Sequence, residues 1–359
     1  MSNKTKIVMV SPNPPWFRGG VEKVVGEFIK HLKHFEIEVF CTGDEIGTHI
    51  YEGTPVHVFK GYSSAYHLSP NLYKALKKSD FDLIHAHGFT TFMPLAATRV
   101  KKDKPFVFSP YFHEYGSTWG YSVLRKLYDP LFGKYIFNKA DKIICISNIE
   151  KKSVRTNFNV EEKISIIPPG VDLAKIRHVK PFEFNHHLIL YVGRLEKYKN
   201  IHVAIKAMEF LPECYFYIIG DAGGYKKDLE QLIKSLNLED RVKILSNVSD
   251  AEKYRWMKTC SLFVNLSSIE AFGITVLEAL AAGKPVIVNE EGGLRELADK
   301  FDGVFPVRVH EFKERDSIEK LAKIMRESMG KEVKTDLDEY DWDIIAKKVE
   351  EVYSEVYKR

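Results

Sequence analysis

Short apolar runs of strand length recur along the chain, and segments with helical periodicity separate them. In the first half, these runs occupy residues 5–11, 37–41, 56–59, 83–86, 106–109, 143–146 and 164–167. Such alternation predicts a mostly parallel β-sheet covered by helices, the α/β class. The chain has 359 residues, more than the roughly 100–200 of a single domain, so we expect two such domains.

The composition is that of an ordinary globular protein, with 45% hydrophobic and 28% charged residues. No apolar run approaches the ~20 residues of a membrane-spanning helix. The first twelve residues have a strand pattern followed by prolines, which is not typical of a secretory signal. Four scattered cysteines lack the spacing of a metal or redox site. We therefore expect a cytoplasmic protein.

Charge is distributed unevenly between the two halves. Residues 1–172 carry 23 Lys and Arg against 17 Asp and Glu, whereas the remainder is slightly acidic. The basic half predicts an anionic partner such as a phospholipid surface, with peripheral contact to the cytoplasmic face of a membrane. An ordinary solvated surface explains the same charge equally well. The basic residues are dispersed rather than clustered in blocks, so we expect no nucleic-acid partner.

Residues 267–285 form a polar loop followed by a helical pattern that stops at a glycine and a proline. Glu270 lies on the loop, Glu278 lies inside the helix, and Gly273 between them lets backbone approach a ligand. A carboxylate among apolar neighbours is costly to bury without hydrogen-bond partners, which sugar or ribose hydroxyls would supply. The helix N-terminus would also receive a phosphate. The alternative, which spacing alone favours, is a surface helix with Glu278 in water.

Two further loops have residues suited to phosphate. Arg194 and Lys199 follow a strand pattern and can both reach one diphosphate, although two solvated loop cations are the alternative. Gly19 and Gly20 lie between the first strand and helix, where backbone N–H groups approach phosphates in α/β folds. A turn that needs a positive φ at Gly19 would explain the same glycines.

Histidines and aromatic residues follow the strand patterns of the first half. His87 and His113 come after neighbouring strands and could line one cleft. No Cys or carboxylate set completes a zinc site around His87, so we expect no metal. The aromatic segment 115–137 has the stripe of a packed core helix, or with its basic residues that of a membrane-contacting helix. Its N-terminal part, with Tyr115 and Trp119, could form an acceptor pocket.

Together these motifs resemble the family 4 retaining glycosyltransferases, over nearly the whole chain. Glu270 and Glu278 match the Glu-x7-Glu motif of that family, and residues 193–199 match its Gly-Arg-x4-Lys element. Residues 19–22 and 168–172 resemble its Gly-Gly-x-Glu loop and Pro-x-Gly-Val-Asp segment. The resemblance implies the GT-B fold, in which two Rossmann-like domains face each other across a deep cleft and the C-terminal helix crosses back to the first domain.

The resemblance also implies domain boundaries. We expect an N-terminal acceptor-binding domain at residues 1–175 and a nucleotide-sugar-binding domain at residues 176–338. The C-terminal helix, at residues 339–359, should pack back on the first domain.

By resemblance, the enzyme moves a hexose-type sugar from a nucleotide diphosphate sugar to an acceptor hydroxyl with retention of configuration. The acceptor is expected to be a lipid-linked or cell-surface glycan, and no cofactor or metal is expected. The implied catalytic residues are Glu270, His113, Arg194 and Lys199. The implied donor-binding residues are Gly19, Gly20, Arg194, Lys199, Gly220, Val248, Glu270, Phe272, Gly273, Ile274, Thr275 and Glu278. The implied acceptor residues are Trp16, Arg18, His87, Tyr115 and Trp119.

Two alternatives stay open at this point. A nucleotide-sugar epimerase of the same fold would convert the donor without an acceptor, and a non-catalytic protein would only bind it. A metal-dependent transferase would use an Asp-x-Asp sequence at a strand end. The Asp-x-Asp sequences at 80–82 and 336–338 precede a strand and a helix respectively, so neither is well placed for that role.

Overall fold

The computed structural model describes residues 4–63, 66–112, 132–221 and 223–357. Contacts divide the chain into two compact units, the first comprising Met1–Gly170 and Trp342–Arg359 and the second Val171–Asp341. Both units are α/β with largely parallel sheets, which confirms the predicted fold class.

Unit 1 contains an eight-stranded sheet in the order β3-β4-β2-β1-β5-β6-β7-β8. Its strands are β1 (Lys6–Val10), β2 (Glu36–Thr42), β3 (Gly47–Tyr51), β4 (Thr54–Phe59), β5 (Leu83–His87), β6 (Phe106–Ser109), β7 (Lys142–Cys145) and β8 (Ile164–Ile166). Its helices before unit 2 are α1 (Gly20–His31), α2 (Pro70–Lys78), α3 (Phe92–Val100), α4 (Lys134–Lys139) and α5 (Asn148–Phe158). Only the β3–β4 pair is antiparallel among the described strand pairs.

The centre of this sheet is β1, because apolar residues of β1 are buried on both faces as parallel sheets require. Ile7 pairs with Ile37 on one side and with Leu83 on the other. Sequence analysis does not predict β3, because that edge strand has no apolar run and Ile50 within it is exposed.

Unit 2 contains a six-stranded parallel sheet in the order β11-β10-β9-β12-β13-β14. Its strands are β9 (His187–Val192), β10 (Cys214–Ile219), β11 (Val242–Leu245), β12 (Leu262–Asn265), β13 (Val286–Asn289) and β14 (Val304–Val307). Its helices are α6 (Leu173–His178), α7 (Ile201–Ala207), α8 (Lys226–Ser235), α9 (Asp250–Thr259), α10 (Ile274–Ala281), α11 (Gly292–Lys300) and α12 (Arg315–Ser328).

The last helix, α13 (Trp342–Tyr357), belongs to unit 1. Its apolar face, which includes Ile345, Val349 and Val352, is buried in the same core as α1. A hydrogen bond of 2.7 Å joins the Tyr353 hydroxyl to Nδ1 of the buried His85 on β5. Within the described ranges, none of the helices is long and apolar enough to cross a membrane.

Candidate functional site

The loops after β9 and β12 leave the same edge of the unit 2 sheet, because these two parallel strands are neighbours. Ser268 N–H donates to the Tyr198 carbonyl at 2.9 Å. Asn200, which adopts a left-handed conformation (φ 53°), donates through Nδ2 to the Leu266 carbonyl and to Ser268 Oγ at 2.8 and 2.7 Å. These bonds fix the two loops against each other at the carboxyl ends of the strands, where α/β sheets bind ligands.

Lys199 and Glu270 meet where these two loops join. Nζ of Lys199 donates to Oε2 of Glu270 at 2.7 Å, and the side chains are only 11% and 23% exposed. A close ion pair at this depth limits the rotation of both side chains. The side chains of two separate sequence motifs therefore lie together in one ion pair.

A glycine pair at the start of α11 supports the Glu270 loop. Gly293 N–H donates to the Glu270 carbonyl at 2.9 Å, and Gly292 adopts a positive φ of 59°. A Cβ atom on Gly292 would lie 2.7 Å from that carbonyl oxygen, and one on Gly293 would collide with the Ala271 carbonyl. Only glycine lets the backbone of α11 approach the loop this closely.

Arg194 is more exposed than Lys199 and is held by its own loop. Its guanidinium donates to the Tyr198 hydroxyl at 2.8 Å and pairs with Glu196 at 2.9 Å, while 54% of the side chain remains exposed. Both contacts hold the guanidinium near the loop that carries Lys199. An exposed guanidinium of this kind is available to an incoming anion.

Glu278 is buried in α10, so the alternative that it points to water is wrong. Its Oε1 accepts hydrogen bonds from Lys253 Nζ at 3.0 Å and from the Tyr254 hydroxyl at 3.4 Å. Sequence reasoning did not identify Lys253, whose only local signal is the capping box of Ser249 and Glu252 that fixes the start of α9.

The start of α10 presents backbone toward the same edge. Gly273 is the residue before the helix and has a positive φ of 102°, a conformation that favours glycine. Phe272 is buried, and its ring lies near that of Tyr340. Ile274 and Thr275 are partly exposed, so the backbone N–H groups that begin the helix lie close to solvent.

Gly220 and Val248 lie on neighbouring loops. A Cβ atom on Gly220 would collide with the Gly193 carbonyl, so glycine lets the ends of β9 and β10 come together. Val248 is partly exposed on the loop between β11 and α9. That loop is held by Asn247 N–H, which donates to the Asp221 carboxylate at 3.0 Å.

In unit 1, Gly19 has a φ of −150°, so the interpretation that it needs a positive φ is wrong. A Cβ atom on Gly19 would instead collide with Oε2 of Glu22, so a larger residue there would require the Glu22 side chain to move. Glu22 is buried and accepts a hydrogen bond from Asn13 Nδ2 at 2.8 Å. Gly20, the first residue of α1, is exposed.

The residues predicted to bind the acceptor lie in different environments. Trp16 packs on the rings of His49 and Tyr51, whereas Arg18 is exposed. His87 is fully buried, and burial lowers the pKa of its imidazole to about 3. With this low pKa the ring is neutral at physiological pH. Its Nδ1 lies 3.2 Å from the Tyr111 hydroxyl inside unit 1.

Three predicted site residues, His113, Tyr115 and Trp119, lie outside the described residues, as does most of the aromatic segment 115–137. The segment before them is anchored by Glu150, a fully buried residue of α5. Its carboxylate accepts from the backbone N–H of Phe112 at 2.5 Å and of Ile146 at 2.6 Å. Burial raises the pKa of Glu150 to about 7, although both backbone donors lower it. Phe137, at the end of the aromatic segment, is buried in the core.

The described parts of the chain contain no group of three or more His, Cys, Asp and Glu side chains that could hold a metal ion. The two Asp-x-Asp sequences have structural contacts. Asp82 accepts from the backbone of Lys6 at 2.9 Å, and Asp338 pairs with Arg177 at 2.9 Å.

The fold and this site define a class of protein. The chain superposes on the Anabaena protein HepE, solved in complex with UDP and glucose, with a TM-score of 0.74 and 20% identity, over 97% of this chain and 99% of that one. The likeness confirms the GT-B fold predicted from the sequence.

Residues 174–353 match the family model described as glycosyl transferases group 1, and residues 18–175 match that described as glycosyltransferase family 4. The protein belongs to the group 1 glycosyltransferases. An uncharacterized glycosyltransferase of Methanocaldococcus jannaschii is 26% identical over 98% of both chains. The alpha-monoglucosyldiacylglycerol synthase of Streptococcus pneumoniae is 25% identical over 78% of this chain and 71% of its own. These matches do not favour the epimerase or the non-catalytic alternative.

Proposed function

We propose that the protein transfers a hexose-type sugar from a nucleoside diphosphate sugar to an acceptor hydroxyl, with retention of anomeric configuration and without a metal ion. The observation that carries this proposal is the half-buried ion pair of Lys199 and Glu270 at the carboxyl edge of the unit 2 sheet. Glu278, deeper in the same unit, provides a second carboxylate for the donor.

The reaction breaks the bond between the anomeric carbon and the phosphate oxygen and forms a bond from that carbon to the acceptor oxygen. Negative charge therefore develops on the leaving diphosphate, and the acceptor loses a proton. Lys199 and Arg194 supply positive charge for the diphosphate, the role that a metal ion plays in other transferases. The departing phosphate oxygen takes the acceptor proton, which balances the step without a separate base.

Glu270 and Glu278 divide the recognition of the donor. Glu270, on the loop, accepts hydrogen bonds from hydroxyls of the transferred sugar and keeps Lys199 in place. Glu278, buried in α10, accepts hydrogen bonds from the ribose hydroxyls. These hydroxyls supply donors that water would supply to an exposed carboxylate. The backbone N–H groups that begin α10 after Gly273 receive a phosphate oxygen.

The nature of the donor and acceptor is a further part of the proposal. The resemblance to HepE, whose structure holds UDP and glucose, makes UDP-glucose the first donor to test. The resemblance to a synthase named for a glucosylated diacylglycerol, together with the basic charge of residues 1–172, favours a lipid-linked or cell-surface glycan acceptor. Peripheral contact with an anionic membrane follows from the same charge.

A thermal-shift panel of UDP, GDP and ADP and their hexose sugars, each with and without EDTA, tests the donor site. We expect one nucleotide series to raise the Tm equally with and without EDTA. The binding sugar nucleotide is then incubated with glycolipid acceptors, and the anomeric configuration of the product is read by NMR. A Tm shift that EDTA abolishes would overturn metal independence, and an inverted product would overturn retention. No shift with any nucleotide would overturn the proposed donor site.

A further inference from the structure

We propose that Lys253 positions the Glu278 carboxylate for recognition of the donor ribose. The inference deepens the proposed function and rests on it, because it assigns the residue that prepares Glu278 for the nucleotide. Lys253 lies on α9, whereas the carboxylate that it contacts lies on α10.

The contacts of Lys253 are those of a buried ion pair. Its side chain is 11% exposed and that of Glu278 is 1% exposed, with Nζ 3.0 Å from Oε1. Nζ also lies 3.2 Å from the exposed carboxylate of Asp250, and 4.3 Å from the ring centroid of Tyr254. An ionised carboxylate buried without a counter-charge is strongly disfavoured, so the ammonium of Lys253 stabilises the Glu278 carboxylate.

Lys253 closely follows the loop that contains Val248, one of the implied donor-binding residues. Ser249 Oγ accepts from Glu252 N–H at 3.3 Å, and Glu252 Oε2 accepts from Ser249 N–H at 3.0 Å, which together fix the first turn of α9. Lys253 lies in this turn, five residues after Val248 in the sequence. The start of α9 therefore fixes both the end of the loop that contains Val248, an implied donor-binding residue, and the cation that contacts Glu278.

This arrangement has a consequence for specificity. An ammonium bound to Oε1 sets the plane of the Glu278 carboxylate and keeps it an acceptor, so ribose hydroxyls meet an acceptor of fixed position. Without Lys253 the Glu278 carboxylate loses this fixed position, and the advantage of a ribose over a deoxyribose is lost. A residue needed only for folding would change the affinity for both sugars alike.

The test compares the binding of UDP, 2′-deoxy-UDP and 3′-deoxy-UDP by calorimetry, or the matching GDP set if wild type binds GDP. A hydrogen bond to a charged group predicts that wild type favours the ribonucleotide by about 10–100-fold over at least one deoxy analogue. We expect Lys253→Met to reduce that ratio to about 3-fold or less, because the carboxylate loses its fixed position. Lys253→Arg should keep most of it, since the guanidinium can still pair with Glu278.

Lys258→Met on the same helix is the matched control and should leave the ratio unchanged. If the methionine variant does not fold, Lys253→Gln, which keeps a donor but no charge, is measured instead with the same expectation. A variant that binds all three ligands more weakly but keeps the full ratio would overturn this inference and leave the donor site standing. Wild type that binds no nucleotide would overturn the proposed function and this inference with it.

Discussion

Lys199 and Glu270 stand 71 positions apart in the chain, yet Nζ of one lies 2.7 Å from Oε2 of the other. The contact joins the loop after β9 to the loop after β12, and hydrogen bonds from Asn200 and Ser268 hold the same two loops together. Both side chains are half-buried, so under the proposed function the donor meets a fixed cation beside a fixed carboxylate. Catalysis by electrostatic stabilisation requires such positioning before the substrate arrives.

Lys199→Ala should lower turnover at least ~100-fold while the protein stays folded, because one stabilising donor for the leaving diphosphate is lost. The neighbouring Lys197 is exposed and provides the matched control, and Lys197→Ala should retain most activity. Release of the nucleoside diphosphate measures turnover, and circular dichroism checks the fold. Near-normal turnover in the Lys199 variant would remove the residue from the proposed mechanism.

Glu270→Ala should also lower turnover at least ~100-fold, because the sugar loses an acceptor and Lys199 loses its partner. Residues in direct contact act as a unit, so the double variant should lose less than the product of the two single losses. The measurement is kcat/KM for wild type, both single variants and the double variant. Losses that multiply would mean that the two residues act independently, despite their contact.

Short motifs in the sequence predict residues of the candidate site, whereas contacts that depend on the packing of distant elements have no such signal. Glu270 and Lys199 stand in recognisable loop motifs, so their chemistry could be inferred separately. The Lys253–Glu278 pair depends on how α9 packs against α10, which no local spacing encodes. The positive φ considered for Gly19 is also wrong, because its backbone is extended with a φ of −150°.

The fold was predicted more fully than the site for a related reason. Buried parallel strands such as β1 and β9 are continuous apolar runs, which the sequence displays directly. The edge strand β3 has no such run and was missed. Glu150 illustrates the same limit in part: its partner Ile146 is only four residues away, but its partner Phe112 lies 38 positions earlier in the chain and meets it only through packing.

Glu150 should make the stability of the protein depend on pH. Burial raises the pKa of its carboxyl to about 7 from the ordinary value of 4.5, although backbone N–H groups lower it. The folded state therefore keeps a proton that the unfolded chain releases between pH 4.5 and 7. This contribution to the free energy of unfolding is present below pH 4.5 and is lost as the pH rises through 7.

Urea unfolding of wild type and Glu150→Gln between pH 4.5 and 8 measures this dependence. The variant does not titrate at this position, so its free energy of unfolding should fall less across that interval, even if it is lower at every pH. Glu162→Gln, at an exposed position near α5, should keep the slope of wild type. Parallel pH profiles for Glu150→Gln and wild type would contradict the raised pKa.

Tyr353→Phe should destabilise the docking of α13, because the Tyr353 hydroxyl is bonded to the buried His85 ring at 2.7 Å. The other ring nitrogen of His85 bonds Ser109 Oγ at 2.8 Å, so removal of the hydroxyl leaves Nδ1 of a buried imidazole without its partner. A buried polar group left in this state costs about 1–3 kcal/mol. Tyr357→Phe, one turn further along the helix and exposed, is the matched control and should change little.

Urea unfolding gives the free energies, and hydrogen exchange should show faster opening of α13 than of the unit 2 helices in the Tyr353 variant. Equal free energies of unfolding for the two variants would show that the His85 contact does not stabilise the C-terminal helix.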